Sequence, residues 1–220
     1  MDQPNDVERA KLAAAEAAAL LAEDEMAVGL GTGTTVAHFL PALARRRLRI
    51  RCVVTSLATE RAALELGLHV EPFEGLDRLD LAVDGADQVG PRLWLMKGGG
   101  GAHTREKIVA AAANRFVVIV DRHKILQELR PPVPLELMPF GLGATLRRLS
   151  ELGPVRRTEA SATPDGNVLA SFEGLVDDPI GLSSALDAVP GVVGHGLFAP
   201  ELVSEVFVGS PNGEVERLTQ

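Results

Sequence analysis

Asp84, Asp87, Lys97 and Glu106 stand around a run of four glycines, Gly98 to Gly101, in the middle of the chain. The stretch reads Asp80-Leu81-Ala82-Val83-Asp84-Gly85-Ala86-Asp87, then Trp94-Leu95-Met96-Lys97, then the glycines, then Ala102-His103-Thr104-Arg105-Glu106-Lys107. An apolar strand ends in the two aspartates, a second strand ends in Lys97, and a helix opens with Glu106 in its first turn. Strand ends and helix starts are where rigid elements present reactive groups to a cleft. Carboxylates with a lysine in reach are proton-transfer machinery: an acid moves the proton and a cation steadies the oxyanion left behind.

A second constellation is Gly29-Leu30-Gly31-Thr32-Gly33-Thr34-Thr35, after an apolar strand and before a helix. Glycines let backbone N–H groups approach an anion, the helix N-terminus adds partial positive charge, and the threonine hydroxyls can donate. Thr34 occupies the place of the third glycine of a dinucleotide loop, and the next strand ends in Ser56 rather than in an acid that would bind a ribose. The Gly-Lys-Thr ending of a nucleoside-triphosphate loop is missing too. The pattern therefore points to a small phosphorylated metabolite.

Other chemistries find less support. His38, His69, His103, His123 and His195 are scattered, with no two at ligand spacing on one helix, and Cys52 is the only cysteine. No metal site is expected, since Lys97 already offers Asp84 and Asp87 a cation. His103 reads as a surface or capping residue, and Cys52, in the apolar run Ile50-Arg51-Cys52-Val53-Val54, as a buried core thiol. No Gly-x-Ser-x-Gly elbow is present for serine-nucleophile chemistry.

The elements that must hold these groups alternate. Composition predicts a helix over 7–23, a strand at 27–30, a helix near 35–46 that Pro41 delays, kinks or shortens, and a strand at 50–55. A helix at 59–66 follows, then strands at 68–71, 79–84 and 92–96, a helix at 103–113 and a strand at 116–121. This alternation predicts an α/β fold, a Rossmann-like, mostly parallel sheet covered on both faces. The stiff Arg130-Pro131-Pro132-Val133-Pro134 marks a junction. Beyond it come strand 133–138, helix 142–152, strand 154–160, strand 168–173, helix 179–188 and strand 192–198, the βαββαβ order of a smaller ferredoxin-like α+β domain. A hairpin, 203–208 and 214–218, turns at Ser210-Pro211-Asn212-Gly213. The expected domains are thus 1–130, 131–202, and a C-terminal hairpin, 203–220, returning to the first.

Bulk properties narrow the setting. The 220 residues, 46% hydrophobic and 24% charged, suffice for a large domain with a smaller partner. A net charge of −8 argues against nonspecific nucleic-acid binding, and one Trp with no Tyr leaves no stacking platform for bases. The basic cluster Arg45-Arg46-Arg47 with Arg49 ends a helix, where cations complement the dipole. No apolar run is long enough to cross a bilayer and no signal-peptide core is present, so a cytoplasmic protein is expected.

With these motifs in order, the chain resembles the ribose-5-phosphate isomerase A family. The resemblance rests on Gly31-Thr32-Gly33-Thr34-Thr35, Val83-Asp84-Gly85-Ala86-Asp87, Lys97-Gly98-Gly99-Gly100, Thr104-Arg105-Glu106-Lys107 and Asp121-Arg122-His123-Lys124, with Gly191-Val192-Val193 and Gly196-Leu197-Phe198 later. It implies interconversion of ribose 5-phosphate and ribulose 5-phosphate through an enediolate, in the pentose phosphate pathway, with no metal or organic cofactor. It implies Glu106 as the base, Asp84 and Lys97 in ring opening and oxyanion stabilisation, and Asp87 beside them. Gly31, Thr32, Gly33, Thr34, Thr35 and Lys124 would hold phosphate and sugar hydroxyls, Gly98, Gly99 and Gly100 would line the substrate, and Ser56 with Thr59 would close the site. Lys11 aligns loosely with a family lysine near the phosphate. A homodimer or homotetramer is implied as well. Thr34 stands where Ser is common, Gln88 where an acid is common, and Gly101 where Ala is common. Two rivals are an amino-sugar-phosphate isomerase/deaminase, with His103 catalytic, and a non-catalytic sugar-phosphate sensor.

Overall fold

The computed structural model describes residues 4–76, 78–159 and 162–220. In chain order its first elements are α1 (Pro4–Ala19), β1 (Ala27–Leu30), α2 (Thr34–Arg45), β2 (Arg51–Val54), α3 (Leu57–Glu65) and β3 (Leu81–Asp84). Then come β4 (Gln88–Val89), β5 (Leu95–Met96), α4 (His103–Ala112), β6 (Phe116–Asp121), β7 (Val133–Leu137), α5 (Leu142–Leu152) and β8 (Val155–Arg157). The last are β9 (Val168–Phe172), α6 (Pro179–Asp187), β10 (Val192–His195), β11 (Leu197–Phe198), β12 (Glu205–Gly209) and β13 (Val215–Leu218). Two compact units interleave along the chain: Met1–Ala86 with Arg105–Ile125 and Pro200–Gln220, and Asp87–Thr104 with Leu126–Ala199.

In the first unit a six-stranded sheet runs β13-β12-β6-β3-β1-β2. The pairs from β12 to β2 are parallel, and β13 is antiparallel to β12. Every residue of β1, β3 and β6 is buried, as a parallel sheet covered on both faces requires. The alanines of α1 bring that helix close to α2, β6 and β12, with Ala14, Ala15 and Ala18 fully buried. Phe39, Leu43, Leu30, Leu81, Ile119 and Phe207 fill the core. From β1 the chain moves outward to β2, then returns to the other side of β1 for β3, so the strand order reverses between β1 and β3. Open α/β sheets bind ligands beyond the strand ends at such a switch point.

The second unit contains a four-stranded antiparallel sheet in the order β10-β7-β9-β8, with α5 and α6 in the connections of a ferredoxin-like βαββαβ unit. Leu149 and Leu186 pack with Val133, Leu135, Leu137, Ala170 and Phe172 in its core. A three-stranded sheet, β11-β5-β4, belongs to the same unit.

Several elements differ from expectation. Helix α2 continues through Pro41, because burial of Phe39, Leu40, Ala42 and Leu43 on both sides outweighs one missing N–H. Residues 68–71 form no strand: Cys52 N–H donates to His69 O at 2.8 Å, Glu71 N–H returns to Cys52 O at 2.9 Å, and Pro72 offers nothing further. The expected strand 92–96 shrinks to β5, since Arg92 and Leu93 take φ of 56° and 64° in a turn after Pro91. The strand expected over 192–198 divides at Gly196, whose N–H donates to Pro134 O and whose carbonyl accepts from Lys97 N–H, both at 2.8 Å. One residue thereby serves two sheets. The strand expected over 154–160 is β8, and residue 160 lies outside the described residues.

Candidate functional site

The loop 31–33 leaves β1 at the switch point, and α2 starts directly after it. Gly33, at the N-cap, has φ of 116°, and the direction in which a side chain would project is open. No side chain caps the first turn of α2 and no acidic residue lies in it, so its N–H groups keep their partial positive charge. Thr34 is exposed there and Thr35 buried. Across the switch point β3 ends in Asp84, 3% exposed, whose Oδ1 accepts from Thr32 N–H at 3.0 Å and Gly85 N–H at 2.7 Å. A Cβ on Gly31 would stand 2.0 Å from Asp84 Cγ, so the carboxylate occupies the place a side chain at position 31 would need. Glycine at 31 and aspartate at 84 are one structural decision.

Hydroxyls extend from this loop toward β2. Thr32 Oγ1 lies 2.8 Å from Thr55 Oγ1 and 3.2 Å from Thr59 Oγ1, and Thr59 Oγ1 donates to Gly31 O at 2.8 Å. Ser56 caps α3, its Oγ accepting from Thr59 N–H at 3.1 Å and lying 3.0 Å from Thr59 Oγ1. The helix therefore starts at Leu57, earlier than the composition suggested. Thr55, which sequence reasoning passed over, joins this network. Its one signal was a hydroxyl at the end of an apolar strand.

Glu106, 5% exposed, lies in the first turn of α4. Leu79 N–H donates to Ala112 O at 3.0 Å, so the end of α4 meets the start of β3 and the helix runs antiparallel to it. Glu106 thus rises toward the strand end that carries Asp84. Gly29 permits the close approach, since a Cβ there would lie 2.5 Å from Val109 Cγ1. At the end of β6, Asp121 is buried and accepts through Oδ1 from His123 N–H at 2.9 Å, which shapes the turn Arg122–Lys124. Lys124 follows from a strand adjacent to β3.

In the second unit Lys97 is 2% exposed, with Nζ 5.5 Å from the centre of the Phe198 ring. Asp87 Oδ2 accepts from Gly99 N–H at 2.8 Å, and Gly101 N–H donates to Gly98 O at 2.9 Å. Asp87 therefore holds the turn of the glycine run, while Gly99 and Gly100 are exposed. His103 is fully buried beside Gly98, against the expectation of a surface or capping residue, because the turn folds back over its ring. Phe198 was missed, its contact with Lys97 arising from distant segments. Lys11 is bound to Glu8 Oε1 at 2.7 Å, and Glu8 Oε2 lies 2.8 Å from His38 Nε2. Those partners, Lys11 first, hold the Glu8 carboxyl below its usual range.

Residues 51–213 match the family ribose 5-phosphate isomerase A (phosphoriboisomerase A). A ribose-5-phosphate isomerase A of Methanosarcina acetivorans is 41% identical, with 96% of this chain and 94% of that protein covered. The chain belongs to the ribose 5-phosphate isomerase A family. A further member, from a Caulobacter species, is 44% identical over 91% of this chain and 94% of its own length. The solved ribose 5-phosphate isomerase A of Methanocaldococcus jannaschii superposes with a TM-score of 0.90 at 35% identity, covering 97% of this chain and 99% of that one. A D-ribose-5-phosphate isomerase solved with phospho-erythronic acid gives 0.91 at 34% identity, covering 98% and 100%. Membership fits a ligand site at the switch point, where the phosphate-type loop, Asp84 and the hydroxyl network meet. Among the described residues no group of three or more His, Cys, Asp or Glu side chains is placed to hold a metal ion.

Proposed function

We infer that the chain interconverts D-ribose 5-phosphate and D-ribulose 5-phosphate. The observation that carries this reading, given the family, is the open amide N-terminus of α2 beside the bound carboxylate of Asp84 at the switch point. In this reading the α2 amides with Thr34, Thr35 and Lys124 hold the 5-phosphate, with Gly31 and Gly33 supplying the room. Thr32 acts through its N–H on Asp84 and its hydroxyl in the network that includes Ser56 and Thr59. Asp84 receives and returns the hydroxyl proton as the furanose ring opens. Glu106 then takes the C2 proton of the open aldose, leaving an enediolate, and returns it to C1 while the O2 hydroxyl proton passes to O1, which gives the ketose. Lys97 stabilises the charge on the enediolate oxygens, and Asp87 sets the glycine turn, Gly98 to Gly100, that follows it. The phosphate does not react, so its binding energy is spent on orienting C1 and C2.

Phospho-erythronic acid, the ligand of the solved relative, carries a carboxylate where an enediolate carries its two oxygens; the same compound should compete with ribose 5-phosphate here. The substrate reading is tested by turnover of ribose 5-phosphate to the ketose. Release of ammonia from an amino-sugar phosphate would indicate the deaminase reading instead, and tight binding without turnover a sensor. No helix among the described residues is long and apolar enough to cross a membrane. We further propose a cytoplasmic homodimer or homotetramer that binds no nucleic acid; the net charge of −8 supports the last point, and light scattering tests the assembly.

A further inference from the structure

We propose that His195 is a positioning residue that sets the backbone carrying Lys97, a role that rests on Lys97 serving the isomerisation. His195 is 1% exposed at the end of β10, two residues before Leu197 of β11. Its Nδ1 accepts from Leu197 N–H at 3.2 Å. An imidazole nitrogen that accepts from an amide carries no proton, so the proton of the neutral ring belongs on Nε2. There it faces Asp187 Oδ1 at 3.1 Å and Ser183 Oγ at 3.4 Å. Ser183 and Asp187 are four residues apart on α6 and share one face, so the helix fixes the ring from one side while the ring fixes Leu197 from the other.

The segment held in this way is the bed of Lys97. Lys97 N–H donates to Gly196 O at 2.8 Å, Leu197 pairs with Met96, and the Phe198 ring lies 5.5 Å from Lys97 Nζ. With Lys97 bonded to Gly196 in this register, the Leu197–Met96 pair is a non-hydrogen-bonded one, and the Leu197 N–H points away from β5. It is a buried donor that the sheet does not use, and His195 satisfies it. Losing that acceptor would let the 196–198 segment rotate to find another, and Lys97 would move with it.

Asparagine is the side chain that best replaces the bond, because its oxygen accepts from the N–H two residues on, as in an Asx turn. Leucine keeps bulk and loses the acceptor. His195→Leu should lower kcat about tenfold with KM little changed, a part of the ~10²–10³ that follows complete loss of an oxyanion donor. His195→Asn should recover to within about threefold of wild type, as the bond and not the ring is what matters. In a Lys97→Met background His195→Leu should cause no further loss, since it acts through a group already absent. Wild-type kcat in His195→Leu, no recovery in His195→Asn, or additive losses with Lys97→Met would each overturn the proposal.

Should His195→Leu fail to fold, Ser183→Ala/Asp187→Ala removes both partners of Nε2 without opening the core, since Asp187 is exposed, and must lower kcat at unchanged melting temperature. Wild-type kcat there overturns the brace. Amide exchange at Leu197 and Lys97, read by NMR, tests it without turnover: exchange must accelerate in His195→Leu and stay slow in His195→Asn, and equal protection overturns it. Absence of ribose 5-phosphate turnover in the wild type would instead sink the isomerase reading.

Discussion

Glu106 and Cys52 show how one environment serves two ends at the scale of a residue. Both are buried, yet Glu106 is proposed as a base and Cys52 as an inert core thiol. Glu106→Gln keeps shape and hydrogen bonding but cannot take a proton. It should lose roughly 10²–10⁴ in kcat while still binding substrate, the range for loss of a general base. Steady-state kinetics at saturating ribose 5-phosphate measure this, and near-normal turnover would remove Glu106 from the role. For Cys52, burial first and the Glu71 carboxylate second push the thiol up to about 12. The folded thiol therefore keeps its proton where an unfolded one loses it. Above the unfolded value the unfolded chain binds fewer protons than the native one, so stability falls as pH rises from about 9 toward 12. Denaturant midpoints across that window should fall for wild type and fall less for Cys52→Ala. The native thiol should also resist alkylation at pH 8 that the unfolded chain undergoes.

At the scale of the element, the loop 31–33 and α2 form one device with β3, and two changes test separate parts of it. Gly31→Ala would drive a methyl into Asp84, whose Oδ1 is already engaged by Thr32 and Gly85 N–H groups. Overpacking of this kind costs about 1–3 kcal/mol, so the denaturation midpoint should drop and kcat should fall as Asp84 is displaced. A Gly31→Ala variant with wild-type stability and turnover would mean that Asp84 has room the geometry denies it. Thr34→Val/Thr35→Val leaves the backbone alone and removes hydroxyls at the start of α2. Each hydrogen bond to a charged acceptor is worth about 1.5–3 kcal/mol, so KM for ribose 5-phosphate should rise, with inorganic phosphate a weaker competitor than before. Unchanged KM in a folded double variant would mean that the phosphate is anchored elsewhere. Lys124→Ala belongs with this set, because Lys124 is proposed to hold the same phosphate from the turn that Asp121 shapes after β6, and KM should rise there too.

Across the whole molecule, what was legible in sequence is what one segment decides alone. Parallel strands buried on both faces read as apolar runs, as β6 does over Phe116–Asp121, and the α/β class follows from their alternation with helices. The loop Gly31–Thr35 was legible for the same reason. Pairings between distant segments left no local trace: Thr32 with Thr55 and Thr59, Lys97 with Phe198, and Gly196 shared between two sheets. The burial of His103 was misread because the turn at Gly98, five residues upstream, packs against its ring. The electrophile is the part of the mechanism that depends most on such long-range placement. An enediolate oxygen requires a cation or strong donors, which a divalent ion or a lysine can supply. Lys97 is buried over an aromatic ring on a strand whose backbone is fixed on both sides, by Asp87 N–H to Met96 O and by Lys97 N–H to Gly196 O, both at 2.8 Å. In the proposed reaction a lysine held in this way would supply the charge from the chain itself. Exhaustive dialysis against EDTA should therefore leave kcat and KM for ribose 5-phosphate unchanged, whereas Lys97→Met should lose about 10²–10³ in kcat, the scale for one oxyanion donor. Activity abolished by the chelator and restored by Mg²⁺ or Mn²⁺ would transfer the electrophile's role to a metal and make Asp84 and Asp87 its first candidate ligands.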